Sequence, residues 1–211
     1  MATILREKTA VIFKLKEPER ITTVIPTSKL VKHKDSILVA VPHRPDETKV
    51  LRNLGFNVPD PMKYYYEWPG RFKPFEAQVE TATFLSMHDR AFCLNSMGLG
   101  KTVTSLWAYD YMRHNKQVHK VLIVCPLSTM ERTWADEVFK TFPHLDASVI
   151  YGTRDKRKKL LAQDADIYII NTDGIKTIKD ELAQRPDIDL IIVDKIAMFR
   201  NSGTDRWKTL N

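Results

Sequence analysis

Eight consecutive residues, Asn95-Ser96-Met97-Gly98-Leu99-Gly100-Lys101-Thr102, combine two glycines, an ammonium and a hydroxyl. Residue types in this order suit the grip on a polyphosphate. Gly98 and Gly100 let the backbone curl so that successive N–H groups converge on an anion, with Met97 and Leu99 completing the turn. Lys101 would reach the β- and γ-phosphates of a nucleoside triphosphate, and the Thr102 hydroxyl would ligate Mg²⁺. The apolar run 91–94 before the loop predicts a strand. Residues 103–115 after it predict a helix, whose first N–H groups and dipole would add to the pull on the anion. A glycine turn that merely joins strand to helix is the plain alternative, and Asn95 stands where such loops usually begin with glycine. Gly-Lys-Thr in a strand–turn–helix setting nevertheless favours the phosphate-binding reading.

Two more side chains fit the same chemistry. Asp194 ends the apolar run 190–193, and a carboxylate there would hold Mg²⁺, usually through a coordinated water. Gln78 offers one acceptor and two donors, a match for the edge of adenine. It matters only in combination with the loop, since a lone helix glutamine is usually just solvated. ATP and Mg²⁺ are therefore the expected ligands.

The elements that must position these groups alternate strand and helix. Residues 120–125 are a near-continuous apolar run, as expected of a strand buried on both faces. Ser128 and Glu131 form a capping-box pattern opening a helix to about residue 142. Runs 147–151, 166–170 and 187–194 predict further strands, and the basic segment 154–163 predicts a helix between the first two. This pattern predicts a doubly wound α/β domain with ligands at the carboxyl ends of its strands. At those ends Ser128 and Thr129 could hold a nucleic-acid phosphate, and Thr172 could do likewise, although turn formation alone would explain residues 171–174. The basic run 154–159 reads as a solvated helix face.

Residues 1–70 predict a separate small β-rich module, leaving 71–211 as the nucleotide domain. Strands are expected at 9–15, 21–25 and 36–41, and a helix from Asp46 to about Leu54 ended by Gly55. The aromatics at 64–68 could stack on a base, but packing is the preferred reading. A further helix is expected from Gln78 to about His88, with Val79, Thr83, Phe84 and Met87 inward.

Composition bounds the function. The chain has 211 residues, 43% of them hydrophobic, enough for a real core in one or two domains. A net charge of +7 favours an anionic partner, nucleic acid foremost. The two cysteines, Cys93 and Cys125, lie in apolar runs and suit a reduced cytoplasmic protein with no disulfide framework or zinc spacing. No apolar run approaches ~18 residues, so no membrane span is expected.

Several motifs together resemble one family. Met97-Gly-Leu-Gly-Lys-Thr102 is similar to motif I of the Swi/Snf-type ATPases in helicase superfamily two. Residues 122–134, continuing to Glu137 and Phe142, resemble motif Ia and the helix behind it. Gln78 sits where the adenine-reading glutamine would be, and 187–194 resembles the approach to motif II. The likeness spans residues 72–211 and implies a RecA-like lobe that closes with a second lobe on ATP and moves along double-stranded DNA. Residues 1–70 lie outside it and are similar in position to the accessory modules of some bacterial and phage members, which suggests a bacterial or phage-infected cytoplasm.

Two departures bear on activity. The family's motif II begins Asp-Glu, whereas Lys195 follows Asp194. That glutamate aligns the attacking water, a task needing an acceptor, and an ammonium has three donors and none. The catalytic trio expected here, Lys101, Asp194 and Lys195, should therefore bind nucleotide better than it turns it over. The second departure is that motif III and the second lobe lie beyond the seventeen residues after Asp194, so a piece of a longer protein or an incomplete reading frame is expected. A non-catalytic, nucleotide-dependent interaction module is the rival that Lys195 supports. A different phosphate-loop enzyme, such as a kinase, fits residues 126–134 and Gln78 less well.

Overall fold

A computed structural model of the chain describes residues 2–33 and 36–199. Contacts divide the chain into two units: Met1–Glu67 with Val79–Phe92, and Trp68–Gln78 with Cys93–Asn211.

The first unit carries an antiparallel sheet of β1 (Ala2–Leu5), β2 (Ala10–Lys14), β3 (Lys29–His33) and β4 (Ser36–Pro42), in the order β1-β2-β4-β3. Its register pairs Val11 with Val41 and Phe13 with Val39. All four side chains are buried, together with Ile21, Ile25 and Leu51. Burying each such side chain is worth about 1.5–3 kcal/mol, so this cluster sets the pairing. The expected strand 21–25 is instead α1 (Glu19–Thr22) and a following turn. Ile21 and Ile25 are one helical turn apart and both enter the core, so the turn buries two β-branched residues that a strand would place on the same face without a partner strand. β3, exposed throughout, has too polar a sequence to announce itself as an edge strand. Next come α2 (Pro45–Asn53) and α3 (Met62–Tyr65). Tyr65 shares a hydrogen bond with His43 Nδ1 at 2.9 Å, and Tyr64 lies under the Arg6 guanidinium.

α4 (Glu76–Ser86) begins in the second unit and continues in the first. Thr83 and Met87 are buried as expected, but Phe84 faces out and stacks on His88 at 4.1 Å.

The second unit is built on a parallel sheet: β5 (Lys120–Cys125), β6 (Ala147–Ile150), β7 (Ile167–Asn171) and β8 (Ile188–Val193), in the order β6-β7-β5-β8. From β5 the chain goes out to β6, returns to β7, then crosses to β8 on the other side of β5. Such a reversal opens a crevice at the carboxyl ends of the strands. The α/β class expected from the sequence is the one observed. Around the sheet run α5 (Lys101–His114), α6 (Asp136–Thr141), α7 (Arg154–Leu161), α8 (Thr172–Thr177) and α9 (Lys179–Ala183).

Two expectations about the nucleotide domain fail. Residues 91–94 form no strand and pair with none among the described residues, and Phe92 and Leu94 are exposed. An apolar run becomes a strand only where a neighbour takes its N–H and C=O groups. The helix expected over 128–142 is also not one α-helix. A 3₁₀ turn (Leu127–Thr129) leads into a π-helical segment (Met130–Ala135), and only then into α6. No side chain caps it, so the Ser128/Glu131 capping box does not form. Thr129 Oγ1 donates instead to the Pro126 carbonyl at 2.9 Å.

Candidate functional site

The loop 95–102 is exposed for most of its length and ends at α5, whose N-cap is Gly100 in the left-handed region (φ 68°). A side chain there would be doubly excluded, because a Cβ would stand 2.5 Å from Gln78 Nε2. Gln78 explains the close approach. Its Nε2 donates to the Leu99 carbonyl at 3.2 Å, while its Oε1 accepts from the Phe75 N–H at 2.9 Å. Each end of the amide is thus engaged once, in a residue only 8% exposed. The glutamine expected to read adenine also braces the turn that would grip the phosphates.

Lys101 folds back over its own loop. Its Nζ donates to the Asn95 and Ser96 carbonyls, both at 2.9 Å. A polyphosphate would replace these neutral acceptors with anionic ones, adding the attraction of two full charges to bonds whose donor is already charged. Open space surrounds Gly98, with nothing within 4 Å of where a Cβ would be. The donors and the room suit a triphosphate. Met97 is almost wholly exposed, Leu99 is partly so, and Thr102 is half-buried in the first turn of α5.

α5 is anchored at its other end. Tyr109 Oη donates to the His119 and Asp166 carbonyls, and Arg113 pairs with Asp166. These partners precede β5 and β7, so the loop end of α5 is directed away from the amino ends of the strands. Burial pushes the Tyr109 hydroxyl well above its ordinary pKa, which keeps it a neutral donor. Trp107 Nε1 donates to the Pro69 carbonyl, and Trp68 packs edge-on against the Trp107 ring, so that aromatic packs and does not await a base.

At the carboxyl edge the register aligns Cys125 with Asn171 and Val124 with Val193. Ser128, Thr129, Thr172 and Asp194 therefore leave neighbouring strands at one rim, where Ser128 is exposed and Thr129 and Asp194 are half-buried, but Thr172 is only 5% exposed. The Asp194 N–H donates to the Val124 carbonyl at 2.8 Å, extending the ladder by one residue. Its carboxylate accepts from Trp134 Nε1 at 3.3 Å. Trp134 is a contact that sequence reasoning missed. The π-helical segment aims its indole at the strand end, and no spacing rule for an α-helix would have found it. Cys125, buried between Thr129 and Asp194, has its thiol pushed up to about 11, first by burial and then by the Asp194 charge. It is a core residue, not a nucleophile. Lys195 is exposed, and its backbone is left-handed (φ 57°), an uncommon state for a residue with a side chain.

Among the described residues no cluster of three or more His, Cys, Asp or Glu could hold a metal alone. Thr102 and Asp194 would need phosphate oxygens and water to complete a Mg²⁺ shell, which is how this ion is usually bound. Among the same residues no helix is long and apolar enough to cross a membrane.

Comparison with known proteins shows what the chain is similar to. The sequence profile of the SNF2-related domain matches residues 78–211, of which 200–211 lie outside the described residues. The ISWI chromatin-remodeling complex ATPase ISW1 of Saccharomyces cerevisiae is 27% identical over 142 residues, covering 63% of this chain and 12% of that protein. The chromatin-remodeling ATPase INO80 of Mycosarcoma maydis is 30% identical over 131 residues, covering 55% and 7%. The chain thus spans only a small part of the relatives it matches. In fold it is similar to the Sulfolobus solfataricus SWI2/SNF2 ATPase core in complex with dsDNA, with a TM-score of 0.58 and 21% identity over 68% of this chain and 30% of that one.

Proposed function

We propose that this chain, which belongs to the SNF2-related domain family, forms the ATP-binding first lobe of a DNA-dependent, Swi/Snf-type translocase. The observation that carries the reading is the convergence on one loop of Gln78, bonded to its backbone, and Lys101, folded across its carbonyls. Lys101 exchanges Asn95 and Ser96 for the β- and γ-phosphates. Thr102 and Asp194 hold Mg²⁺, which neutralises phosphate charge when bound. Gln78 offers its remaining N–H and lone pair to adenine. Ser128, Thr129 and Thr172 contact the phosphate backbone of double-stranded DNA, as befits a chain of net charge +7. Residues 1–70 serve as an accessory module, the whole acts in a cytoplasm, and turnover requires a second RecA-like lobe.

Lys195 weakens hydrolysis in this scheme, since it puts three donors where water alignment needs an acceptor. The same residue favours a second reading, a nucleotide-dependent interaction module that binds without turnover. Both readings require nucleotide binding. Calorimetry with Mg·ATP should give a measurable affinity that Lys101→Ala abolishes, and equal affinity in that variant would remove both.

A further inference from the structure

The basic run 154–159 is not uniformly solvated. Arg154 and Lys158 reach Glu181 on α9, as surface cations do, but the Arg157 side chain turns inward and the residue is only 7% exposed. Its Nε donates to the Gly152 carbonyl at 2.9 Å. Nη1 donates to the Ile150 carbonyl at 2.8 Å and to Asn171 Oδ1 at 3.1 Å. The guanidinium carbon lies 5.6 Å from the centre of the Tyr151 ring. Among the described residues no carboxylate pairs with it. One planar fork therefore ties the end of β6 and the turn after it to the end of β7.

Two details show that the surroundings are shaped to this fork. Asn171 stands at the N-cap of α8, where its side-chain oxygen would ordinarily accept a helix N–H, yet no such bond forms and the oxygen serves Arg157 instead. Gly174, in the first turn of α8, gives the guanidinium its room: a Cβ there would stand 2.2 Å from Nη1 and 2.7 Å from Asn171 Oδ1. Burying a cation against neutral oxygens alone is a costly way to stabilise a domain. Its geometric effect is specific, because it fixes the Asn171 side chain and with it the start of the turn that carries Thr172.

We propose that Arg157 is a positioning residue for the nucleic-acid edge. Its guanidinium holds the β6 and β7 ends in one register so that Thr172 meets a backbone phosphate of duplex DNA. The inference rests on the DNA contact assigned to Thr172 above. A lysine keeps the charge at this position but cannot supply three directed bonds from one plane.

The test is duplex binding by the full chain, followed by fluorescence anisotropy across a salt series, with Mg·ADP affinity measured in parallel. Arg157→Lys should weaken duplex binding about tenfold and leave the slope of log K against log salt as in the parent, because the Thr172 hydroxyl is neutral and its contact releases no counterion. Mg·ADP affinity should stay as in the parent, which a general loss of structure would not allow. Gly174→Ala, which leaves the arginine in place but crowds it, should act in the same direction and decides the matter if Arg157→Lys does not fold. Combined with Thr172→Val, Arg157→Lys should add little further loss, since both remove the same contact. Duplex affinity equal to the parent's in Arg157→Lys and Gly174→Ala, or full additivity with Thr172→Val, would overturn the proposal. If Thr172→Val alone leaves duplex binding unchanged, the DNA contact assigned to Thr172 fails, and this inference with it. If Thr172→Val weakens binding but Arg157→Lys does not, only the positioning role fails.

Discussion

The phosphate loop and the carboxyl edge of the parallel sheet prepare their polar groups in opposite ways. The loop is exposed, preceded by a segment that pairs with no described strand, and its cation is satisfied by the loop's own carbonyls. The edge is held by buried strands in register, with Asp194 bonded to Trp134 and Asn171 bonded to Arg157. The loop can exchange its internal bonds for those of a ligand; the edge offers groups whose directions are already set. In the loop, local sequence supplies every participant but Gln78 within eight residues. At the edge, Asp194 depends on a partner 60 residues away and Asn171 on one 14 away, so only the folded sheet assembles it.

The largest effect expected at the edge concerns Lys195. In a two-lobed version, Lys195→Glu should raise DNA-stimulated ATP hydrolysis by ~10²–10⁴-fold, the usual worth of a general base, while ATP affinity changes little. Steady-state kinetics decides this, and equal turnover in both forms would mean that another residue aligns the water.

Gln78 tests the loop. Its amide braces Leu99, and in the proposed function its second N–H and lone pair go to the base. Gln78→Ala should cut discrimination between ATP and GTP by about 1–3 kcal/mol, the cost of an unpaired polar group, and also lower affinity for both nucleotides through the loosened turn. Competition calorimetry separates the shared loss from the selective one. A loss shared equally by ATP and GTP would confine Gln78 to bracing.

Trp134→Phe keeps the ring but removes the N–H that meets Asp194. A bond to a charged acceptor is worth about 1.5–3 kcal/mol, and this one is long. The gain in nucleotide affinity on adding Mg²⁺ should therefore shrink about tenfold, with Mg²⁺-free binding unaltered. An unchanged gain would show that the strand alone orients Asp194.

The smallest effect lies at the opposite end of the sheet. The Arg185 guanidinium, 2.7 Å from Asp187, lowers that carboxyl from 3.8 to about 2. A carboxylate depressed in the folded state adds stability above pH 3.8, and that stability is lost as pH falls toward 2. The pair is partly exposed, so its worth is about 0.2–1 kcal/mol at most. Asp187→Asn should flatten the stability profile between pH 4 and 2 in chemical denaturation and leave nucleotide binding alone.

Much of the second unit was legible in its sequence because long apolar runs such as 120–125 and 166–170 suit only buried parallel strands. The run 91–94 is also apolar, though without β-branched residues, yet forms no strand, since the hydrogen bonds of a strand come from a neighbour and not from its own residues. Ile21 and Ile25 misled for a related reason: β-branched content marks burial, and one helical turn buried both. At the candidate site, Lys101, Thr102 and Asp194 are expected from residue type and order alone. Trp134 and Arg157 could not, because the first depends on a π-helical register and the second on a basic side chain turned inward.

Amino-acid order by itself determined the residue types of the loop, the strand–helix alternation and the charge at position 195, all of which depend on neighbours in the chain or on residue identity. Tertiary structure alone decided that Gln78 braces the loop, that Trp134 meets Asp194 and that Arg157 ties β6 to β7. Those contacts join residues 14 to 60 positions apart, and only packing of the sheet and its helices brings such groups within hydrogen-bond distance.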